Sequence, residues 1–182
     1  MEDTKEQYHN VISKSREIFI DKNADYGSSW RVLRIISLVD QINIKAQRIR
    51  NLQNNIANKI DEDQIAEFYG IINYSIMALI QIEKGIVDEP DLDADEIIKL
   101  YDKNVNETFE LMLNKNHDYG EAWREMEIVS LTDLIIQKHL SNDWKIERLG
   151  TNELNILRLS VFELKFLKKY DYCLLYTSDA AD

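Results

Sequence analysis

Lys22-Asn23-Ala24-Asp25-Tyr26-Gly27-Ser28-Ser29-Trp30-Arg31 returns as Lys115-Asn116-His117-Asp118-Tyr119-Gly120-Glu121-Ala122-Trp123-Arg124. Each copy is followed at the same distance by Ser-Leu-x-Asp-x-Ile-x-x-Lys, from Ser37 to Lys45 and from Ser130 to Lys138. The offset is 93 residues throughout, and Tyr8–Lys45 shares 15 of 38 positions with Tyr101–Lys138. Chance would give roughly two or three at ordinary residue frequencies. A repeat of this length says that one supersecondary unit is used twice. The shared residues are polar and aromatic, which two unrelated amphipathic helices would not have in common.

Around the repeat, the apolar pattern is helical. Tyr8, Val11, Ile12, Ser15, Ile18 and Phe19 follow the 3.6-residue period, which predicts a helix over 4–22. Asn23–Ser29 is expected to be a loop, with Gly27 supplying backbone freedom. Ser37-x-x-Asp40 has the form of a capping box, so a second helix is expected to open there and run through Ile42, Ile49 and Leu52 to about Asn58. A third is expected from Asp61-Glu62-Asp63 through Phe68 and Ile72 to Gly85, a good residue to end a helix. The acidic stretch Gly85–Asp93, with the single Pro90, reads as a linker. The pattern then restarts with a helix over Ala94–Asn114, the second Asp-Tyr-Gly loop, and a helix over Ser130–Leu140. A last helix is expected over Asn152–Tyr170. No stretch alternates as a strand would, so the expected fold is all-α, a helical bundle with an internal repeat whose second copy is truncated.

Composition narrows the function classes. The 182-residue chain carries a net charge of −11, or −9 with Asp179 and Asp182 set aside, which argues against broad nucleic-acid affinity. Cys173 is the single cysteine, so neither a disulfide framework nor thiol catalysis is expected. No apolar run approaches the ~20 residues of a membrane span, and Met1-Glu2-Asp3-Thr4 is unlike a signal peptide. The chain reads as cytosolic, with no membrane partner.

The repeated loop is the chief candidate site. Asp25 and Tyr26 could meet a ligand there, Gly27 permits close backbone approach, and Trp30 offers a stacking face for a base. Against this, Asp25 could make an Asx-type turn while Tyr26 and Trp30 fill the space between helices. Lys45 and Arg48, three apart, share a helical face that could grip phosphates or simply be solvated. Asp63 and Glu67 are similarly paired, as a magnesium-dependent nucleotide hydrolase would require. Ser37 and Asp40 are caps or catalytic groups. His9, His117 and His139 lack metal-ligand spacing, and there is neither a Gly-rich phosphate loop nor a zinc pattern.

Residues 1–138 resemble the nucleotide modification associated domain 1 family of phages and bacteria. The resemblance rests on Lys-Asn-x-Asp-Tyr-Gly-x-x-Trp, on Ser-Leu-x-Asp-x-Ile-x-x-Lys-x-x-Arg-Ile, and on Glu67-Phe-Tyr-Gly-Ile-Ile-Asn73-Tyr74, in that order. It implies a link to nucleotide or DNA-base modification, in a layout similar to the all-α MazG-like pyrophosphatases. Asp25, Tyr26, Gly27, Trp30, Lys45, Arg48, Asn73 and Tyr74 then become ligand-facing, with a nucleotide or base as ligand. Asp40 and Glu67 are the positions for a magnesium ion. Phage-type members place an acidic residue where this chain has Gly70. The expected division is residues 1–93 as the first copy and 94–138 as a partial second copy, with homo-oligomers conceivable.

The end of the chain reads differently. Leu134–Leu140, Trp144-Lys-Ile-Glu-Arg-Leu149 and Ile156-Leu-Arg-Leu-Ser-Val-Phe-Glu-Leu164 resemble the C-terminal helices of the NusB transcription antitermination factor. That resemblance, over 139–172, would imply an RNA partner, although NusB's basic N-terminal region has no counterpart here. Cys173–Asp182 reads as a translated sequencing adapter, which makes the chain an expected join of two genes. The competing readings are therefore a nucleotide-binding or nucleotide-hydrolysing bundle, a NusB-like RNA module, and a helical scaffold without a ligand.

Overall fold

A computed structural model describes residues 2–54 and 64–140, and every regular element among them is helical. The order is α1 (Glu2–Tyr26), a 3-10 turn (Ser29–Val32), α2 (Ile35–Gln53), α3 (Gln64–Lys84), α4 (Ala94–Tyr119), a second 3-10 turn (Ala122–Glu125) and α5 (Ile128–Leu140). The all-α expectation holds over these residues as a bundle of five helices. Asp63, the expected helix over Asn152–Tyr170, the NusB-like segment after Leu140 and the adapter-like Cys173–Asp182 lie outside the described residues.

The centre of the bundle is α3, against which α1, α2 and α4 all pack, while α5 lies against α2. Its apolar residues are distributed around most of its circumference, as a central helix requires. Phe68, Ile71, Ile72, Ile76 and Ile80 are all fully buried. By length and composition α3 could cross a bilayer, which departs from the expectation that no such run exists. Within the bundle it also buries Glu67, Asn73 and Gln81 against other helices.

Two local expectations are corrected. Asn23–Tyr26 is the last turn of α1, not a loop, because Gly27 adopts φ +57° and its N–H still donates to the Asn23 carbonyl at 2.8 Å. The Ser37-x-x-Asp40 capping box is not used. α2 opens two residues earlier, at Ile35, with Arg34 at the cap position and no side-chain cap. The capping box that does form is Asp93 with Glu96, at the start of α4. Gly85 ends α3 with φ +78°, as expected.

Polar ties fix how α1 and α4 flank the centre. Asn73 of α3 accepts from Ser15 Oγ at 3.0 Å and from Tyr101 OH at 2.9 Å, and its Nδ2 donates to the Ser15 carbonyl at 3.1 Å. Phe19 and Tyr101 stack with centroids 4.5 Å apart. Tyr8 OH donates to the Val105 carbonyl at 2.8 Å, and Arg16 grips Asp102 with two hydrogen bonds. The second 3-10 turn is held to the start of α1 by Arg124, which bonds both Glu121 and Thr4.

Candidate functional site

The repeated motif builds a corner. Once Gly27 has ended α1, Ser28 Oγ donates to the Leu92 carbonyl at 2.8 Å, and the 3-10 turn drives Trp30 and Arg31 inward. Arg31 is fully buried, bonded to Asp91 (Nε to Oδ1, 2.9 Å) and to Gln81 Oε1. Its guanidinium carbon lies 5.8 Å from the centroid of the Trp30 ring. This corner leaves Trp30 only 7% exposed, whereas Tyr26, at the end of α1, is 68% exposed.

The opposite side is made by α2 and α3. The stem of Lys45 crosses α3 at Gly70, where a side chain would collide with its Cδ and Nζ. Beyond the crossing, Lys45 Nζ donates to Glu67 Oε2 at 3.1 Å and lies 6.0 Å from the centroid of the Tyr74 ring. Arg48, one turn along α2, holds the other oxygen, with Nε 3.2 Å from Oε1. Two cations therefore bracket one carboxylate that is itself only 4% exposed. A buried carboxylate is tolerable only with such compensation.

Between the corner and this pair lies a cavity of about 670 Å³, within the usual range for a small-molecule site. Tyr26, Gly27, Trp30, Lys45, Asn73 and Tyr74 all line it. Of the other residues expected to face a ligand, Asp25 is exposed and Arg48 reaches Glu67 without lining the cavity. Asn73 lines the cavity, yet its Oδ1 is filled by two donors and one of its two N–H groups is used. Asp40 is exposed on α2.

Some lining residues were missed from sequence. Lys22 and Asn23 open the repeated motif itself and belong to the cavity, as do Ile18 and Phe19 one turn earlier and Met77 on α3. Repetition at an offset of 93 could have found Lys22 and Asn23. Ile18, Phe19 and Met77 carry no signal beyond helical periodicity. Among the described residues, no group of three or more His, Cys, Asp or Glu side chains could hold a metal ion. Glu67, one of the two expected magnesium positions, spends both oxygens on Lys45 and Arg48.

Fold and site together define a small helical bundle with a mostly apolar, partly cationic cavity at the junction of α1, α2 and α3. The chain matches the family described as nucleotide modification associated domain 1 over residues 22–82 and 115–150, more than half its length, and it belongs to that family. No curated protein and no solved structure matches it.

Proposed function

We propose that the cavity binds a nucleotide and that the chain serves nucleotide or DNA-base modification through that binding. One observation carries the reading. Three segments far apart in sequence, Tyr26-Gly27 with Ser29-Trp30, Lys45, and Asn73-Tyr74, line one cavity of ligand size. The aromatic faces available to a base are Tyr26, which is exposed, and Tyr74, which is half-buried and already carries the Lys45 ammonium beside it. For phosphate, Lys22 and Lys45 are the cations that line the cavity. Arg48 enters through Glu67, as the second cation on that carboxylate.

Hydrolysis with magnesium belongs to the same proposal under one condition. A metal on Glu67 requires that the carboxylate release Lys45 and Arg48, which a polyphosphate could draw away. The repeat extends the reading: α1 and α4 end at Tyr26 and Tyr119, and the helices after each 3-10 turn begin at Ile35 and Ile128, in both cases 93 residues apart. We read these as one unit used twice, with the cavity completed by α3 in the first copy.

The test is a thermal-shift and calorimetric panel of nucleoside mono- and triphosphates, with and without magnesium, on the full chain. A ligand at a hundred times its Kd should stabilise the fold by about 2.7 kcal/mol, a shift of several degrees in Tm. No shift and no heat with any nucleotide would refute the reading.

A further inference from the structure

The charges at the cavity favour one class of nucleotide. Lys22 and Lys45 line it, and among the described residues that line it there is no carboxylate. Behind Lys45, the Glu67 carboxylate lies 3.1 Å from Lys45 Nζ and 3.2 Å from Arg48 Nε, so one negative charge is set against two positive ones. Asp21 and Asp25, near Lys22 on α1, are exposed and do not line the cavity. Three cations and one carboxylate leave an excess of two positive charges at the cavity and directly behind it. The chain as a whole carries −11, a field that repels long polyanions. Lys45 also has capacity to spare. Its ammonium has three N–H donors and gives one to Glu67, and its side chain is 25% exposed.

We infer that the site takes a nucleoside monophosphate, bound as the free dianion without a metal ion. This rests on the nucleotide reading above and narrows it to one phosphorylation state. A phosphomonoester carries about −1.5 to −2 at neutral pH and has three strong acceptor oxygens. That charge matches the local excess, and the two remaining N–H groups of Lys45 match the acceptors. Each further phosphate adds negative charge that these residues do not offset, and unmatched charge in a mostly apolar cavity is costly. Magnesium is the usual remedy, held by one or two carboxylates together with the phosphates. Here Glu67 has both oxygens on Lys45 and Arg48, and among the described residues no other cluster of acidic, His or Cys groups takes its place. A magnesium-bound triphosphate must first break that bracket, whereas a monophosphate leaves it intact.

The experiment titrates the full chain calorimetrically with the four 2′-deoxynucleosides and their 5′-mono- and triphosphates, each in excess EDTA and again with magnesium. For the best-bound base, the monophosphate should bind tightest. The nucleoside and the triphosphate, with or without magnesium, should each be at least about fivefold weaker, and magnesium should change monophosphate affinity by less than about twofold. Lys45→Met should bring the monophosphate down to the affinity of the nucleoside and leave the nucleoside unchanged. Should that variant fail to fold, the ligand series on the unaltered chain still decides. A triphosphate or nucleoside that comes within that margin of the monophosphate, or a larger magnesium effect on the monophosphate, overturns the assignment while the nucleotide reading stands. Unchanged monophosphate binding in a folded Lys45→Met chain does the same. If neither nucleosides nor nucleotides bind, both fall.

Discussion

Gly70 is the gap through which Lys45 reaches Glu67: a β-carbon there would lie 2.6 Å from Lys45 Cδ and 2.8 Å from its Nζ. A glycine inside a helix costs about 1 kcal/mol relative to alanine, so α3 gives up propensity at this position. In return, the ammonium passes across the helix to the cavity and the buried carboxylate. Gly70→Ala should therefore separate stability from binding. The lysine tip is flexible and can move aside, so the melting temperature should change little, helix propensity offsetting the lost ion pair. Nucleotide affinity should fall about tenfold or more, the scale of one charge-assisted contact. Calorimetry beside a urea titration checks both halves, and unchanged affinity would remove Lys45 from the binding site.

Glu67 should behave in the opposite sense. Its carboxylate occupies Lys45 and Arg48, whose side chains are 25% and 35% exposed. Glu67→Gln keeps the shape and removes the charge. The partly exposed cations can turn toward water, so the stability cost should be about 1–3 kcal/mol, short of stranding a fully buried ion. Phosphate-bearing ligands should then bind roughly tenfold tighter in the variant, since the cations no longer face a competing carboxylate. Weaker binding, above all with magnesium present, would instead make Glu67 a direct ligand.

The site was legible in part, and the boundary has physical causes. Tyr26, Gly27, Trp30 and Lys45 were readable because the motif repeats, and repetition singles out polar and aromatic residues that periodicity cannot. How deeply Trp30 is buried was not readable. That depends on how the 3-10 turn rotates the indole into the core, and on Arg31 lying beside its ring. Asn73 could be placed near the site, but not its commitments, because Ser15 and Tyr101 lie 58 and 28 residues away. The start of α2 was misplaced because a Ser-x-x-Asp pattern looks the same inside a helix as at its cap. The all-α class was easier, since long helical periods and a single proline leave few alternatives.

Alkaline pH should weaken the fold through two phenols. Burial pushes both Tyr8 and Tyr101 well above the ordinary tyrosine range, and for Tyr8 the neighbouring Tyr101 adds to the effect. A folded-state pKa above the unfolded value means that the native state holds the proton more tightly. The contribution is therefore complete below the unfolded value of about 10 and is lost as pH rises beyond it. Urea midpoints should be flat through neutral pH and fall above about pH 10. Tyr101→Phe should cost about 1 kcal/mol at pH 7, from the hydrogen bond to Asn73, and should shallow the alkaline limb. An unchanged limb in the Tyr8→Phe, Tyr101→Phe pair would assign it to other groups.

Gln81 should prove more important than its position near the end of α3 suggests. Its Nε2 donates to the carbonyls of Arg31 and Leu33, both at 2.7 Å, and its Oε1 accepts from the Arg31 guanidinium. One amide thus holds the 3-10 turn that carries Trp30 and shares a buried cation with Asp91. Gln81→Leu fills the same space but leaves a buried guanidinium N–H without its acceptor and removes the donor to two carbonyls. Unmet buried groups cost about 1–3 kcal/mol each, so a loss of about 2–4 kcal/mol is expected, read as a lower urea midpoint. The effect should reach the cavity as well, because Trp30, which lines it, is positioned by this turn, and nucleotide affinity should fall in the surviving folded protein. Gln81→Glu makes the sharper comparison. It keeps an acceptor for Arg31 but can no longer donate to the carbonyls of Arg31 and Leu33. If Gln81→Glu matched the unaltered chain in both stability and affinity, the two carbonyl hydrogen bonds would carry neither, and the guanidinium contact alone would hold the turn.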